Sequence, residues 1–235
     1  MRYNSANRGH TCIPRDKLLK PSADLLEVTQ DEIDIAIDKL VSTAQLKACE
    51  IDGKEFVFLP SAYLAEKKIA ERIGIVAGFP PPGAPQLADW IDYIEQQNNI
   101  KYETQQRLAI ATAAKKGLLV LTGGPGTGKT TTLNAIIKIL KTKDLSIALA
   151  APTGRAAQRM TEATGLRAST IHRFLKWSKE SNTFQVNEYN KSKVEFVIID
   201  EASMMDIILF NNLLKGATMS TRILLVGDNN QLPSV

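Results

Sequence analysis

The sequence LLVLTGGPGTGKTTTLNAII, residues 118–137, decides the fold of this protein. It opens with an apolar run, passes through a glycine-rich turn, and closes with an apolar segment of helical spacing. That order predicts a strand, a turn and a helix. A turn of the form G-x-x-x-x-G-K-[ST] directs its backbone N–H groups into one concavity, which binds phosphate oxygens together with the positive end of the helix. The residues predicted to hold a nucleotide are Gly123, Gly124, Pro125, Gly126, Thr127, Gly128, Lys129, Thr130 and Thr131.

Two side chains of this turn have predicted chemical roles. The Lys129 ammonium can reach the β- and γ-phosphates of a nucleotide such as ATP, and the Thr130 hydroxyl can bind Mg²⁺. The alternative is a glycine-rich turn without a ligand. The complete match to the pattern, with a strand before it and a helix after it, favours the phosphate site.

The composition fits one full domain and a smaller one. The chain has 235 residues, of which 44% are hydrophobic and 23% are charged. It contains neither an apolar run long enough to span a membrane nor the apolar segment of a signal peptide. Cys12 and Cys49 are the only cysteines and lack metal-binding spacing, which favours a reduced, cytoplasmic setting. The net charge of +4 permits a polyanionic partner.

Residues 1–77 predict a small N-terminal module. The leucine pattern of residues 16–28, which Pro21 interrupts, favours a short or broken helix. A capping box that starts at Thr29 begins a second helix, which we expect to end near Leu46. Both helices are expected to be amphipathic.

A hairpin and a third helix complete this module. The dipeptide Asp52-Gly53 lies between two alternating segments and is typical of a tight hairpin turn. The third helix is expected over residues 61–73, with Leu64 facing inward. Short helices with a hairpin resemble a winged-helix α+β module. Such a module either contacts DNA or only packs against its neighbour, and both interpretations stay open.

A proline-rich segment separates this module from a larger domain. Residues 78–86, GFPPPGAPQ, predict a stiff linker. Residues 87–235 then alternate helical patterns with short apolar runs, which predicts an α/β fold with a mostly parallel sheet covered on both faces. One segment of it, residues 168–177, is expected to form a short helix with Thr170 near its start.

Two carboxylates end one of the apolar runs. Asp200 is predicted to hold Mg²⁺, and Glu201 to orient and deprotonate an attacking water. Further along, Gly227 and Asp228 frame a loop in which the Gln231 amide can contact a γ-phosphate or its water. The alternatives are an acidic turn that caps a helix and an Asn/Gln-rich turn. Because open α/β sheets bind ligands at the carboxyl ends of their strands, we expect these groups at one edge.

The chain resembles superfamily 1 helicases in six segments, which occur in the order ETQQRLAI, GGPGTGKTTT, APTGRAA, TIHRFL, VIIDEASMMD and LLVGDNNQLPSV. The third, fourth and fifth are most similar to the RecD/TraA branch (SF1B), which includes RecD-like helicases and the alpha subunit of exodeoxyribonuclease V. The resemblance is specific over residues 103–235. It implies the first RecA-like motor domain of an ATP-hydrolysing, 5′-to-3′ DNA helicase of recombination and repair.

The resemblance also implies roles for further residues. Gln106 matches the glutamine that reads adenine, and Gln105 is a rival one position away. Two other motifs, one at residues 153–155 and one at residues 170–172, are implied to contact single-stranded DNA. Their ordinary alternatives are a helix N-cap for the first and a packed or surface histidine for the second. The residues implied to bind single-stranded DNA are Thr153, Gly154, Arg155, Thr170 and His172.

The resemblance does not extend to a second motor domain. Superfamily 1 motors bind ATP between two RecA-like domains, and the second one supplies arginines to the γ-phosphate. We therefore expect a fragment that hydrolyses ATP very slowly alone, with the second domain in the remainder of the same polypeptide. Subunits of a nuclease complex are further candidate partners. The competing functions are a non-catalytic, nucleotide-gated DNA-loading subunit of such a complex and a P-loop small-molecule kinase.

Overall fold

The computed structural model describes residues 10–78 and 87–228. The predicted linker, from residue 79 on, lies outside the described residues. The division of the chain into residues 1–77, 78–86 and 87–235 therefore stays a prediction.

The chain forms two compact units. Of the described residues, the first unit comprises 10–70 and Asp206–Asn211. The second comprises residues 71–78, 87–205 and 212–228. Each unit is described by itself below.

Local signals define most of the N-terminal elements. The capping box is present, because the Thr29 hydroxyl accepts from the Glu32 N–H at 3.3 Å and the Glu32 carboxylate accepts from the Thr29 N–H at 2.9 Å. Asp52 and Gly53 form the predicted hairpin turn with φ values of 50° and 71°, a left-handed pair that suits a two-residue loop. The elements are β1 (Cys12–Pro14), α1 (Arg15–Leu26), α2 (Gln30–Ser42), β2 (Lys47–Ile51), β3 (Lys54–Phe58) and α3 (Pro60–Gly78).

These strands form a three-stranded antiparallel sheet in the order β1-β3-β2. Arg15 connects the sheet to the helices, because its guanidinium contacts Asp34 and Asp38 at 2.7 Å and Glu55 at 3.0 Å. Two acidic residues of α2 therefore already pair with a cation. Whether the module is a winged helix stays a prediction.

Four predictions for this region were wrong. Helix α1 is continuous through Pro21, because the proline lies on the exposed face while Leu18 and Ala23 are buried on the other. Helix α2 ends at Ser42, before the predicted Leu46. Helix α3 continues to Gly78, since Val76 is buried, and its Leu64 faces outward with 53% of its surface exposed.

The second unit is the predicted α/β domain. Its five main strands form one parallel sheet in the order β4-β10-β9-β5-β6. The elements are α4 (Leu87–Asn98), α5 (Thr104–Lys115), β4 (Leu118–Thr122), α6 (Lys129–Thr142), β5 (Ile147–Ala151), α7 (Gly154–Thr164), β6 (Ala168–Thr170), α8 (Ile171–Phe174), β7 (Trp177–Ser178), β8 (Thr183–Phe184), β9 (Phe196–Ile199), a 3₁₀ turn (Ala202–Met204), α9 (Ile207–Gly216) and β10 (Arg222–Gly227).

Alternate residues of each strand build the main core. Leu224 and Val226 of β10, like Phe196 and Ile198 of β9, are buried against helices α4 to α7. Their neighbours in sequence point to the opposite face, where Ile199 is also fully buried. The fold class is confirmed, with one exception to complete covering: Val120 of the edge strand β4 is 56% exposed.

Residues 168–177 do not form a single helix. Residues Ala168–Thr170 are a strand that pairs in parallel with β5, and only Ile171–Phe174 are helical. The hydrogen bonds available at the open side of β5 outweigh the local helical pattern, as tertiary pairing often does. A short hairpin follows, in which β7 and β8 pair antiparallel.

Candidate nucleotide-binding site

The phosphate loop joins the end of β4 to the start of α6. Gly126 and Gly128 have φ values of 78° and 77°, in the left-handed region that favours glycine. Gly123 is required for a different reason, because a Cβ there would lie 2.6 Å from the Thr127 hydroxyl. The glycine pattern therefore reflects both conformation and close approach. Neither reason applies to Gly124, and nothing lies within 4 Å of a Cβ placed on it.

Side chains of the loop also hold its shape. The Thr127 hydroxyl donates to the Gly124 carbonyl at 2.9 Å. The Lys129 ammonium donates to the carbonyls of Gly123 and Gly124. Lys129 therefore folds back over the loop, at the positive end of α6, where a phosphate group would be bound. Thr130 and Thr131 follow in the first turn of that helix.

Gln106 contacts the phosphate loop from helix α5. Its side-chain oxygen accepts from the Glu103 N–H at 3.1 Å, and its amide nitrogen lies 3.4 Å from the Thr127 carbonyl. The same nitrogen would be 2.3 Å from a Cβ on Gly128. Gln105 is exposed. The geometry thus favours Gln106 of the two rivals, and its contact with adenine stays a prediction.

The two carboxylates lie where β9 ends. Burial raises the pKa of Asp200, while a hydrogen bond from the Glu201 N–H at 2.9 Å and the positive charge of Lys129 oppose that rise. Glu201 itself adopts a left-handed backbone conformation with φ 52°. The attraction between Asp200 and Lys129 shows that the acidic turn and the phosphate loop share one environment.

Strand β10 explains this proximity. It lies between β4 and β9, with Gly227 opposite Thr122 on one side and Leu225 opposite Ile199 on the other. The phosphate loop and the acidic turn therefore leave the same sheet edge about 10 Å apart, or two strand spacings. Asp228, which follows β10, is buried. Gln231 lies outside the described residues, and its role stays a prediction.

The residues predicted to bind DNA continue along this edge. Thr153 caps α7 by accepting from the Ala156 N–H at 3.2 Å, and Thr170 caps α8 by accepting from the Arg173 N–H at 3.1 Å. Strands β5 and β6 are neighbours, so the two caps lie side by side. The N-cap alternative is thus observed for Thr153, and Thr170 is also an N-cap. In both residues the hydroxyl hydrogen stays available as a donor. Gly154 opens α7, and Arg155 after it is exposed.

His172 is exposed and contacts two rings of the hairpin. Its ring centroid lies 6.2 Å from that of Trp177 and 5.6 Å from that of Phe184. Neither aromatic residue was predicted to lie at the site. Phe184 belongs to an alternating pattern in residues 178–194, but only the pairing of β7 with β8 brings it to His172.

Another residue that the sequence analysis missed is Ser203, in the 3₁₀ turn after Glu201. Its hydroxyl oxygen is buried and has no hydrogen-bond partner among the residues described. A serine two positions after a predicted site residue carries no signal of burial in sequence. Separately, no helix in the described parts of the chain is long and apolar enough to cross a membrane.

Fold and site together define a P-loop protein with a RecA-like parallel sheet. The AAA domain family matches residues 106–235, more than half of the chain. The chain therefore belongs to the AAA domain family.

Similar proteins confirm the resemblance to the RecD branch. The chain is 34% identical to the ATP-dependent RecD2 DNA helicase of Deinococcus radiodurans over 97% of its own length and 32% of that protein. It is 32% identical to the RecBCD enzyme subunit RecD of Buchnera aphidicola over 77% of this chain and 33% of the relative. It thus spans about a third of the length of these relatives. The crystal structure of Pif1 helicase from Candida albicans aligns with 58% of this chain and 34% of its own, at 25% identity and a TM-score of 0.43.

Proposed function

We propose that this protein is a DNA motor that hydrolyses ATP at the phosphate loop and moves 5′-to-3′ along single-stranded DNA, as a helicase of recombination or repair. The observation that supports this most is the order of strands at one sheet edge. The phosphate-loop strand β4 and the acidic strand β9 flank β10, and the two threonine-capped helix starts follow on β5 and β6. Nucleotide and DNA groups would thus share one rigid sheet.

The nucleotide would be held by the loop and by Gln106. On binding, the Lys129 ammonium would exchange its contacts with loop carbonyls for the β- and γ-phosphates. Glu201 would orient the attacking water and accept its proton, and Gln231 would contact the γ-phosphate or that water. The hydrogen bond from the Thr127 hydroxyl to the Gly124 carbonyl would hold the loop conformation during this exchange.

The protein oxygen atoms at this sheet edge would bind Mg²⁺ together with phosphate oxygens of the nucleotide. In residues 10–78 and 87–228, no three His, Cys, Asp or Glu side chains are placed to hold a metal ion. The Thr130 hydroxyl and the Asp200 carboxylate are two candidate ligands, and Mg²⁺ in phosphate sites commonly combines such ligands with water and phosphate oxygens. A cation there would also offset the burial that raises the pKa of Asp200. Bound Mg²⁺ would neutralise charge on the phosphates.

The DNA backbone would bind at the start of α7. Its first N–H groups and the exposed Arg155 suit a phosphate group, because a helix N-terminus is electropositive and arginine adds a charge-assisted contact. Thr153 would donate its free hydroxyl hydrogen to the same backbone. Thr170, at the end of the neighbouring strand, and His172, in the short helix after it, would contact the next nucleotides.

The relatives suggest two kinds of partner. The D. radiodurans protein is named a helicase, and the B. aphidicola protein is named a subunit of the RecBCD enzyme. The match to the former includes the N-terminal module, and this supports a stand-alone helicase over a nuclease-complex subunit. We also propose that a second RecA-like domain of the same polypeptide completes the site, because the chain spans about a third of the length of these relatives. Both cysteines are free thiols, which supports a cytoplasmic location.

Two lysine substitutions in helix α6 test the proposal that the protein is an ATP-driven motor. Lys129→Ala in the whole protein should reduce DNA-stimulated ATP hydrolysis more than 100-fold, since the ammonium that binds the phosphates is lost. Lys141→Ala, which removes the same charge from the last turn of α6, should leave the rate within twofold. ATP hydrolysis that single-stranded DNA does not stimulate in the unaltered protein would contradict the proposal and favour a kinase.

A further inference from the structure

The Ser203 hydroxyl oxygen is buried without a hydrogen-bond partner among the described residues. Buried hydroxyl groups in folded proteins almost always have a partner, because water must be removed from them on folding. The unpaired Ser203 hydroxyl lies next to the candidate nucleotide site. Its lack of a partner is explained if the hydrogen-bond acceptor arrives with a ligand.

Ser203 lies against the end of β10. A Cβ on Gly227 would lie 3.4 Å from the Ser203 backbone nitrogen and 3.8 Å from its hydroxyl oxygen, which is ordinary van der Waals contact. Gly227 in turn lies opposite Thr122, the last residue before the phosphate loop. The 3₁₀ turn therefore borders the same strand end as the phosphate loop.

The turn that carries Ser203 is also fixed from its other side. The backbone N–H of Glu201 donates to the Asp200 carboxylate, and Glu201 has a left-handed φ of 52°, which non-glycine residues seldom adopt. Such a conformation persists only where the surroundings enforce it, and it is common at functional sites. Ser203 follows this bend directly, so the hydroxyl position depends on the same turn that positions the two carboxylates.

We propose that the Ser203 hydroxyl donates a hydrogen bond to an oxygen that arrives with the terminal phosphate of a nucleoside triphosphate. That oxygen belongs either to the γ-phosphate or to the water held against it. The inference rests on the proposed function, since it needs a triphosphate in the loop. Its geometric basis is that β10 lies between the loop strand and the acidic strand, and Ser203 packs on the end of β10. With a γ-phosphate oxygen as the acceptor, Ser203 would distinguish a triphosphate from a diphosphate, and with the water as the acceptor it would position that water.

The test compares Ser203→Ala with Ser61→Ala, a control at an exposed serine of α3. Binding of ADP and of a non-hydrolysable ATP analogue is measured by calorimetry, together with melting without nucleotide and kcat for ATP. Without nucleotide, Ser203→Ala should melt no lower than the unaltered protein, because an unpaired hydroxyl is removed. Its affinity for ADP should stay within twofold.

The two sources of the acceptor oxygen give different results. If it is a γ-phosphate oxygen, the variant should bind the ATP analogue roughly tenfold more weakly, as expected for a hydrogen bond to a charged group. If it is the attacking water, binding should be unchanged and kcat should fall roughly tenfold. Ser61→Ala should change none of these quantities.

Two results would overturn the inference while the proposed function stands. One is unchanged ATP-analogue affinity together with unchanged kcat in Ser203→Ala. The other is a lower melting temperature with equal weakening of ADP and ATP-analogue binding, which would show a purely structural serine. Failure of the unaltered protein to bind either nucleotide would instead overturn the proposed function, and the role of Ser203 with it.

Discussion

The side-chain amide of Gln106 lies 3.4 Å from the backbone carbonyl of Thr127, so helix α5 contacts the phosphate loop directly. The two residues are 21 positions apart in sequence, and the contact also requires that Gly128 have no side chain. A glutamine in this position both supports the loop and presents its amide beside the nucleotide site.

Gln106→Ala should therefore weaken ATP binding by roughly tenfold, because it removes an amide from the loop and from the expected adenine contact. Gln105→Ala is the matched control, since Gln105 is exposed one position away. Fluorescent ATP titration measures both. Equal losses in the two variants would argue against the assignment of Gln106.

Asp200→Asn should stabilise the nucleotide-free protein at neutral pH. Burial raises the pKa of Asp200, so the folded state disfavours its charged form and binds the proton more tightly than the unfolded state does. The carboxylate therefore costs stability above its folded pKa, and this cost disappears as the pH falls through that value. We expect a gain on the order of 1 kcal/mol, or about 2–4 °C in Tm, at pH 7.

Thermal melting at several pH values tests whether Asp200→Asn raises or lowers the stability. The gain from Asp200→Asn should shrink in acid, where the native aspartate is itself protonated. In the presence of ATP and Mg²⁺ the order should reverse, because the variant lacks a charged metal ligand. A variant that is less stable than the unaltered protein at pH 7 without nucleotide would contradict the role of burial.

Thr29→Ala should destabilise helix α2. The Thr29 hydroxyl caps the Glu32 N–H, and loss of such a cap typically costs about 1 kcal/mol. Hydrogen bonds from the Thr29 backbone and then its hydroxyl lower the pKa of Glu32. The part of the stabilisation that comes from the charged carboxylate is thus present above the ordinary pKa of glutamate and is lost as the pH falls through its folded value.

The cost of Thr29→Ala should accordingly be larger at pH 7 than at pH 3, as measured by urea unfolding. Thr43→Ala is a suitable comparison, because the Thr43 hydroxyl donates to the Lys39 carbonyl at the other end of the same helix and contacts no acid. A pH-independent cost at Thr29 would contradict the contribution from Glu32.

Arg155→Ala should weaken binding of single-stranded DNA and reduce the salt dependence of that binding by about one ion, as expected for the loss of one phosphate contact. Arg167→Ala is the matched control, because Arg167 is exposed and precedes β6 at the opposite end of the strand from Thr170. Fluorescence anisotropy at several salt concentrations measures both variants. Unchanged affinity and slope in Arg155→Ala would remove this residue from the proposed DNA site.

Short-range signals in the sequence determined much of this protein. The phosphate loop, the capping box at Thr29 and the hairpin turn at Asp52-Gly53 each depend on dihedral preferences and contacts within a few residues. The alternation of apolar runs with helical patterns likewise predicted a parallel sheet, and the structure confirms it. Such features are readable without a fold because their physical causes lie within the segment itself.

Tertiary structure decided the rest, because it depends on residues that are distant in sequence. The pairing of β6 with β5 converted the expected helical start at residues 168–170 into a strand. Burial on one face carried α1 through Pro21. Only the placement of β10 between β4 and β9 brings Asp200 near Lys129 and Ser203 beside Gly227. The sequence by itself determined which groups could bind a phosphate, and the order of the strands decided which of them meet.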